Sequence, residues 1–309
     1  MAVEPGGTPT VTPSAGGNAG GAVKLAFIGP LSGAHSDLGF AVRDGARVAV
    51  QQAKDSGVKV DLVEGDTQVD PAQASAIKGR FINDPGVVGV VGPSLSDETR
   101  TLLPDLEANN LAMVSASASD VALPTVVPNE AVFHRVVPDD TAAAAGIASY
   151  IVKEVKPHSV VYVNDSSDYG RGLADATMKA VAATGIPGQP LTIDPNTQDL
   201  APVLANIKAA NPDLVFYGGY VSNAGALVKR LRDIGVTAKF ISGEGALDPG
   251  FVTTAGAPAA EGAIFACSCR FPAADAGGAL GRFATQYAQI NKVHPSTRTP
   301  PRGTTRQTS

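Results

Sequence analysis

From Val23 the chain repeats a short apolar run, a polar loop and an amphipathic stretch. Val23–Ile28, Val58–Val63, Val87–Val91 and Leu111–Val114 are rich in β-branched residues and read as strands. Between the first two, Val42, Ala46, Ala49 and Ala53 recur at spacings of four, three and four, which places them on one helix face. The pattern restarts at Val132–Val137, followed by Asp139-Asp140 and an Ala-rich helix running to about Lys156-Pro157. Ser159–Val163, Leu214–Tyr217, Lys239–Ile241 and Ala263–Ala266 then read as strands. Leu173, Ala176, Ala180 and Ala183 form one helix stripe, and Ala224, Leu227, Val228 and Leu231 another. Gly185 and Gly235 stand where helix C-caps belong. Short apolar strands alternating with helices predict parallel sheets covered on both faces. The fold class is therefore α/β, with two doubly wound parallel-sheet lobes. Their ligand is expected in a crevice at the carboxyl ends of the strands.

Length agrees, since 309 residues suit two domains. Hydrophobic residues make up 44%, enough for two cores, and no apolar run reaches the 18 residues a membrane span needs. The net charge of −5 argues against nucleic acid as a partner. That charge is uneven. Lys292, Arg298, Arg302 and Arg306 are four basic residues in a tail without acids, and the remaining 20 basic and 29 acidic residues leave −9. Met1–Ala22 holds six Gly and three Pro, with neither a basic start nor an apolar stretch, and reads as a linker rather than a signal peptide. Cys267 and Cys269 make a lone C-x-C, too few ligands for zinc. They read as small residues near a strand end, since the spacing alone supports neither a disulfide nor a redox thiol.

Catalytic patterns are absent. There is no G-x-x-x-x-G-K-[ST], no G-x-G-x-x-G at Gly29–Gly33 and no G-x-S-x-G. His134, between Phe133 and Arg135 in a strand pattern, reads as structural. The loops suit holding a ligand better than transforming one. Gly92–Glu98 follows a strand and opens a helix; Ser94 or Ser96 there either caps that helix or, with its free N–H groups, accepts a carboxylate. Ser115–Ser119 is either a polar turn or a small-residue ligand loop. Tyr169 and Tyr220 lie just past strands in a chain only 5% aromatic. Glu244, between Gly243 and Gly245, is either a solvated acid or a carboxylate facing the crevice. Together these groups offer what a zwitterion needs: hydroxyls and a helix start for its carboxylate, an acid for its ammonium, and ring faces for its side chain. No metal or cofactor is called for.

Several segments are familiar as a set. Leu25–Gly33 with Leu38-Gly39, Gly65-Asp66 with Asp70-Pro71, and Val91–Pro93 with Ser96 come first. Arg135 with Asp139-Asp140, Asp165 with Tyr169-Gly170, Tyr217–Tyr220 and Gly243–Gly245 follow in order. From about Val23 to Tyr287 the chain resembles the Leu/Ile/Val-binding proteins, type I periplasmic solute-binding proteins of ABC importers. The resemblance implies that Ser96 and the backbone at Ser119 hold an amino acid's carboxylate. It implies that Ser117, Ser119 and Glu244 hold the ammonium, with Ala118 in the same loop, while Tyr169 and Tyr220 line the site. Leu38 stands where well-known members carry an aromatic residue, and Leu95 stands where one cysteine of the family's early disulfide would be. The resemblance also implies a discontinuous N-terminal lobe, 23–138 with 268–291, a C-terminal lobe, 139–267, and a hinge between them. Segments 1–22 and 292–309 would be linker and basic tail. It further implies a monomeric, extracytoplasmic protein, either periplasmic or anchored at the cell surface as a lipoprotein, that hands a branched-chain amino acid to a membrane permease. An amide or amino-acid sensor of the same fold is the alternative, and an α/β enzyme a weaker one. The family's closing strands and helix lie beyond this chain's end. With one choice of codons and one nucleotide restored, Arg298–Ser309 back-translates to Thr-Tyr-Thr-Pro-Glu-Gly-Tyr-Asp-Ala-Thr-Asn-Val, close to the family's sequence there. The tail is thus expected to mark a shifted reading frame and a truncated first lobe.

Overall fold

The computed structural model describes residues 21–194, 199–269 and 277–292. The composition-based readings of 1–20 and 293–309 lie outside the described residues. Two five-stranded parallel sheets organise the rest. The first has the order β2-β1-β3-β4-β5, from β1 (Val23–Gly29), β2 (Val60–Asp66), β3 (Val87–Val91), β4 (Met113–Ser115) and β5 (Phe133–Arg135). The second has the order β10-β9-β8-β6-β7, from β6 (Val160–Asn164), β7 (Gly188–Thr192), β8 (Leu214–Gly218), β9 (Lys239–Ser242) and β10 (Ile264–Phe265). In each sheet successive strands are joined through helices, so every pairing is parallel.

The second sheet shows why its strands read as continuous apolar runs. Along β8, Val215 and Tyr217 face a core shared with α7 (Ala201–Ala210), α8 (Val221–Asp233) and α9 (Pro249–Ala255). Leu214 and Phe216 face a second core with α5 (Asp140–Tyr150) and α6 (Asp168–Ala182). A strand buried on both faces has no polar side to alternate with. Gly185 and Gly235 end α6 and α8 at φ +88° and +81°, the left-handed region that a C-capping glycine reaches without strain. The Ala-rich helix expected to end near Lys156 does so: α5 passes at Tyr150 into a π-helical turn, Ile151–Val155, closed by Lys156 N–H to the Ile151 carbonyl. The sequence reading misses α7 and β7. β7 is a solvent-facing edge strand carrying Pro190, which an edge tolerates.

The first sheet buries one face fully. Ala26, Ile28, Val90, Met113 and Phe133 pack with α4 (Ser96–Ala108), α2 (Pro71–Ile77) and Phe81 of α3 (Gly79–Ile82). The other face carries α1 (Ser36–Asp55), against which α11 (Ala279–Asn291) packs: the Asn291 amide donates to the Asp44 carbonyl at 3.2 Å. Short α10 (Ala257–Ala260) completes the helices. The alanine stripe read on α1 is not its most buried face. Val48 and Val50 are buried and Ala49 is exposed. Val42 and Ala46 instead line an open groove of about 480 Å³, with Val91, Val114, Val136 and Phe283. Val88, Val114 and Val136 are 53%, 38% and 74% exposed, so this sheet face is only half covered among the described residues.

Candidate functional site

The loops at the carboxyl ends of β3, β4, β6, β8 and β9 converge between the two sheets. On the first-lobe side, the chain after β3 enters α4 through Leu95, which is the N-cap and offers no side-chain cap. Neither Ser94 nor Ser96 takes the capping role. Ser96 is buried as the first residue of α4, and its Oγ accepts from the Asp120 N–H at 3.3 Å, leaving its own proton to donate. In the loop after β4, Ser115 Oγ donates to the Pro93 carbonyl at 2.6 Å and accepts from the Ala118 N–H at 3.0 Å. Ser117 Oγ donates to the Ser94 carbonyl at 2.5 Å. These bonds tie the two loops together. Ala118 turns into the first-lobe core with its N–H already engaged, so it shapes the loop and offers a ligand no backbone donor. Ser119 is buried, its Oγ has no partner of normal geometry, and its carbonyl accepts from the Asp140 N–H at 3.0 Å.

On the second-lobe side, Asp165 organises the loop after β6. Its carboxylate accepts from Ser167 Oγ at 2.6 Å and from the Tyr220 N–H at 2.8 Å. Ser167 in turn caps α6, accepting from the Gly170 N–H. Tyr169 and Tyr220 are buried with ring centroids 5.1 Å apart, and His35 from the first lobe lies 4.4 Å from Tyr220. Burial lowers the His35 pKa, which favours the neutral imidazole against the ring. Leu38 packs half-buried on the same cluster, which includes Leu95, Tyr169 and Tyr220. Thus the two lobes meet through apolar contact beside the serine loops.

Glu244 sits two residues beyond β9 in a short helical turn. Burial raises its pKa, while the Ser268 N–H, donating to Oε2 at 3.2 Å, pulls it back down. The glycines on either side serve Tyr169. A Cβ on Gly243 would lie 2.6 Å from the Tyr169 hydroxyl, and one on Gly245 would lie 2.6 Å from its ring. The Tyr169 hydroxyl accepts from the Gly245 N–H at 3.1 Å, so the ring holds the Glu244 turn in place.

Several groups of this region escape the sequence reading. Asp139 caps α5 through the Ala142 N–H, whereas Asp140 turns inward and is buried beside Ser119. Neither Asp140 oxygen has a partner of normal geometry, and burial pushes its pKa up to about 7. Glu98, in the first turn of α4 beside Thr67, is likewise buried and pushed up to about 7. The Asp139-Asp140 doublet is visible in the sequence, but which carboxylate caps and which is buried is decided only by packing. At the rim, Arg100 of α4 reaches Asp168 of α6 at 2.7 Å and also pairs with Asp120. The Asp168 N–H donates to Asp97 Oδ1 at 3.1 Å. These contacts join the lobes directly.

The reading of Cys267 and Cys269 as unlinked small residues is corrected: the two form a disulfide. Adjacent cysteines with one residue between them can bond only if the backbone folds tightly, which spacing does not disclose. No group of His, Cys, Asp and Glu able to hold a metal occurs among the described residues. Nor is any helix there long and apolar enough to cross a membrane.

Comparison with known proteins adds to this geometry. Residues 22–300 match the sequence profile of a family described as periplasmic binding protein. The chain is 31% identical over 250 residues to a Leu/Ile/Val-binding protein from Rhizobium johnstonii, covering 79% of this chain and 66% of that protein. Its fold is similar to that of a leucine binding protein from Thermotoga maritima, with a TM-score of 0.79 at 24% identity over 88% of this chain and 77% of that one. A branched-chain amino acid transporter substrate-binding protein from Streptococcus pneumoniae, in complex with isoleucine, gives a TM-score of 0.76 at 21% identity, covering 89% and 78%. The chain spans about two thirds of the length of the curated relatives it matches.

Proposed function

The chain belongs to the Leu/Ile/Val-binding family of periplasmic binding proteins, non-catalytic solute-binding components of ABC transporters, and from that premise we propose that it captures a branched-chain amino acid between its two lobes for an importer. The observation that carries this reading is the division of polar groups across the cleft. Ser96 and the uncapped start of α4 offer donors on one side, and the Glu244 carboxylate stands on the other. The ligand's carboxylate would accept from the Ser96 hydroxyl and from backbone N–H groups at Ser119 and α4. Its ammonium would donate to Glu244 and to the hydroxyls of Ser119 and Ser117. Its side chain would rest on Tyr169, Tyr220 and Leu38. Leu38 and Leu95 keep that end apolar, which favours Leu, Ile or Val over a polar side chain.

Charge-assisted hydrogen bonds contribute roughly 1.5–3 kcal/mol each. Several of them, offset by the costs of association, support micromolar affinity, about −8 kcal/mol. Lobe closure strengthens them by excluding water. The family places the protein outside the cytoplasm, and a membrane permease is its proposed partner. A lipid anchor remains part of the proposal. Isothermal calorimetry across the twenty amino acids tests the reading. Leucine, isoleucine and valine are expected to bind in the micromolar range, with Glu244→Gln weakening binding by ~100-fold or more. A chain that binds none of the three, or binds them equally well without Glu244, is not this kind of receptor.

A further inference from the structure

The disulfide between Cys267 and Cys269 closes a small ring around Ser268. That ring follows β10, which pairs in parallel with β9, and the Ala266 N–H extends the pairing by donating to the Ser242 carbonyl at 2.9 Å. The strand pair therefore brings the ring level with Glu244, just beyond β9. There the Ser268 N–H donates to Glu244 Oε2 at 3.2 Å, the one hydrogen bond to that carboxylate among the described residues. Cys267 is half-buried and Cys269 is exposed, so a reductant in solution can reach the bond.

We propose that the Cys267–Ser268–Cys269 ring is a positioning element for Glu244, which makes affinity for an amino acid depend on whether the two cysteines are joined. The ring restricts the backbone dihedrals around Ser268 and keeps its N–H aimed at the carboxylate. In the open dithiol, Ser268 is exposed and free to turn to water, and holding it in place costs conformational entropy. Glu244 then loses the donor that fixes its orientation toward the ligand. The inference rests on the reading that Glu244 holds the ammonium. Reduction balances as an ordinary thiol–disulfide exchange. A dithiothreitol thiolate attacks one cysteine sulfur, expelling the other cysteine as its thiolate and forming a mixed disulfide; the reagent's second thiol then attacks its own sulfur in that mixed disulfide and releases the first cysteine. Two electrons and two protons thereby pass to the protein, and the reagent leaves as its cyclic disulfide.

Calorimetry with leucine on the full chain tests this in four arms: oxidised protein, protein reduced with dithiothreitol, Cys267→Ser with Cys269→Ser, and Glu244→Gln with and without reductant. Reduction and the double serine variant are expected to weaken binding ~10-fold, roughly the worth of one oriented hydrogen bond. Glu244→Gln is expected to weaken it further and to respond to reductant no more. If Glu244→Gln loses affinity while reduction leaves the wild-type Kd unchanged, the ring does not position Glu244 and the binding site stands. If Glu244→Gln binds leucine normally, the site reading itself fails. A second measurement needs no ligand: titration of the Glu244 carboxyl carbon by NMR. Its midpoint is expected to rise on reduction, because the Ser268 N–H stabilises the ionised form; an unmoved midpoint overturns the proposal.

Discussion

Asp140 and Glu98 are two buried carboxyls whose chemistry departs far from that of their exposed counterparts. Each carboxyl is buried, lacks a hydrogen bond of normal geometry and is pushed up to about 7. A buried carboxyl is tolerable while protonated and costly once charged. In the unfolded chain both would ionise near pH 4. The folded state therefore binds the extra protons, and their stabilising effect is complete below about pH 4 and lost as pH rises through about 7. In the absence of ligand, the thermal midpoint contributed by these groups is expected to fall between pH 5 and 8. Asp140→Asn together with Glu98→Gln should flatten that slope and raise the midpoint at pH 8. Calorimetric melts across that range check it, and an unchanged slope in the double variant would place the pH dependence elsewhere. The position of Asp140 also shows the reach of sequence reading at this scale. Ser96, Ser119 and Glu244 stand out because small and polar residues follow apolar strands. Asp140 follows the same rule but sits beside an equally acidic neighbour, and only the entry of α5 turns one outward and the other in.

At the level of elements, α4 and α6 carry the polar part of the lobe contact. Both begin at the carboxyl ends of strands, so their first turns face each other across the cleft. Arg100 reaches from α4 to Asp168 on α6, and the Asp168 N–H meets the Asp97 carboxylate. The same approach raises the pKa of Asp97, through burial and the neighbouring Asp168 carboxylate. Arg100 is more than a third exposed, so screening limits its ion pairs to a modest contribution. Arg100→Ala is expected to leave the thermal midpoint within ~2 °C and to shift the ligand-free population toward an open form. Small-angle scattering of the variant should show a larger radius of gyration without leucine and the same radius with it. Equal radii for wild type and variant without leucine would show that the pair does not hold the lobes. Strands β3 and β8 were legible to within one residue. α7 and β7 were not, because β7 is an exposed edge containing Pro190 and lacks the apolar run that announces a buried strand.

For the whole molecule, ligand binding and stability are linked, since a ligand that bridges both lobes can bind only the folded chain. Leucine at 100 times its Kd is expected to add about 2.7 kcal/mol and to raise the melting midpoint by roughly 5–10 °C. A differential scanning measurement at millimolar leucine checks this, and an unmoved midpoint would count against capture by both lobes. The half-covered face of the first sheet belongs to the same scale. Val88, Val114 and Val136 look like the strand residues of the second sheet in the sequence, yet they are exposed while those are buried. Burial depends on which helices lie against a sheet, and α1 with α11 reach only part of this one.

The alternation of apolar runs and helix stripes by itself determined two parallel α/β sheets, because short apolar strands separated by helices pair in parallel through those crossovers. It also placed the candidate ligand groups at strand ends, where parallel sheets leave room for loops. The tertiary structure alone decided that Leu38 and Leu95 join the tyrosines of the opposite lobe and that Asp140 lies buried behind Ser119. It also decided that Cys267 and Cys269 bond beside Glu244. Local patterns record what each segment needs to bury. Which residues from distant segments meet depends on how the sheets and helices pack, and no local pattern encodes that.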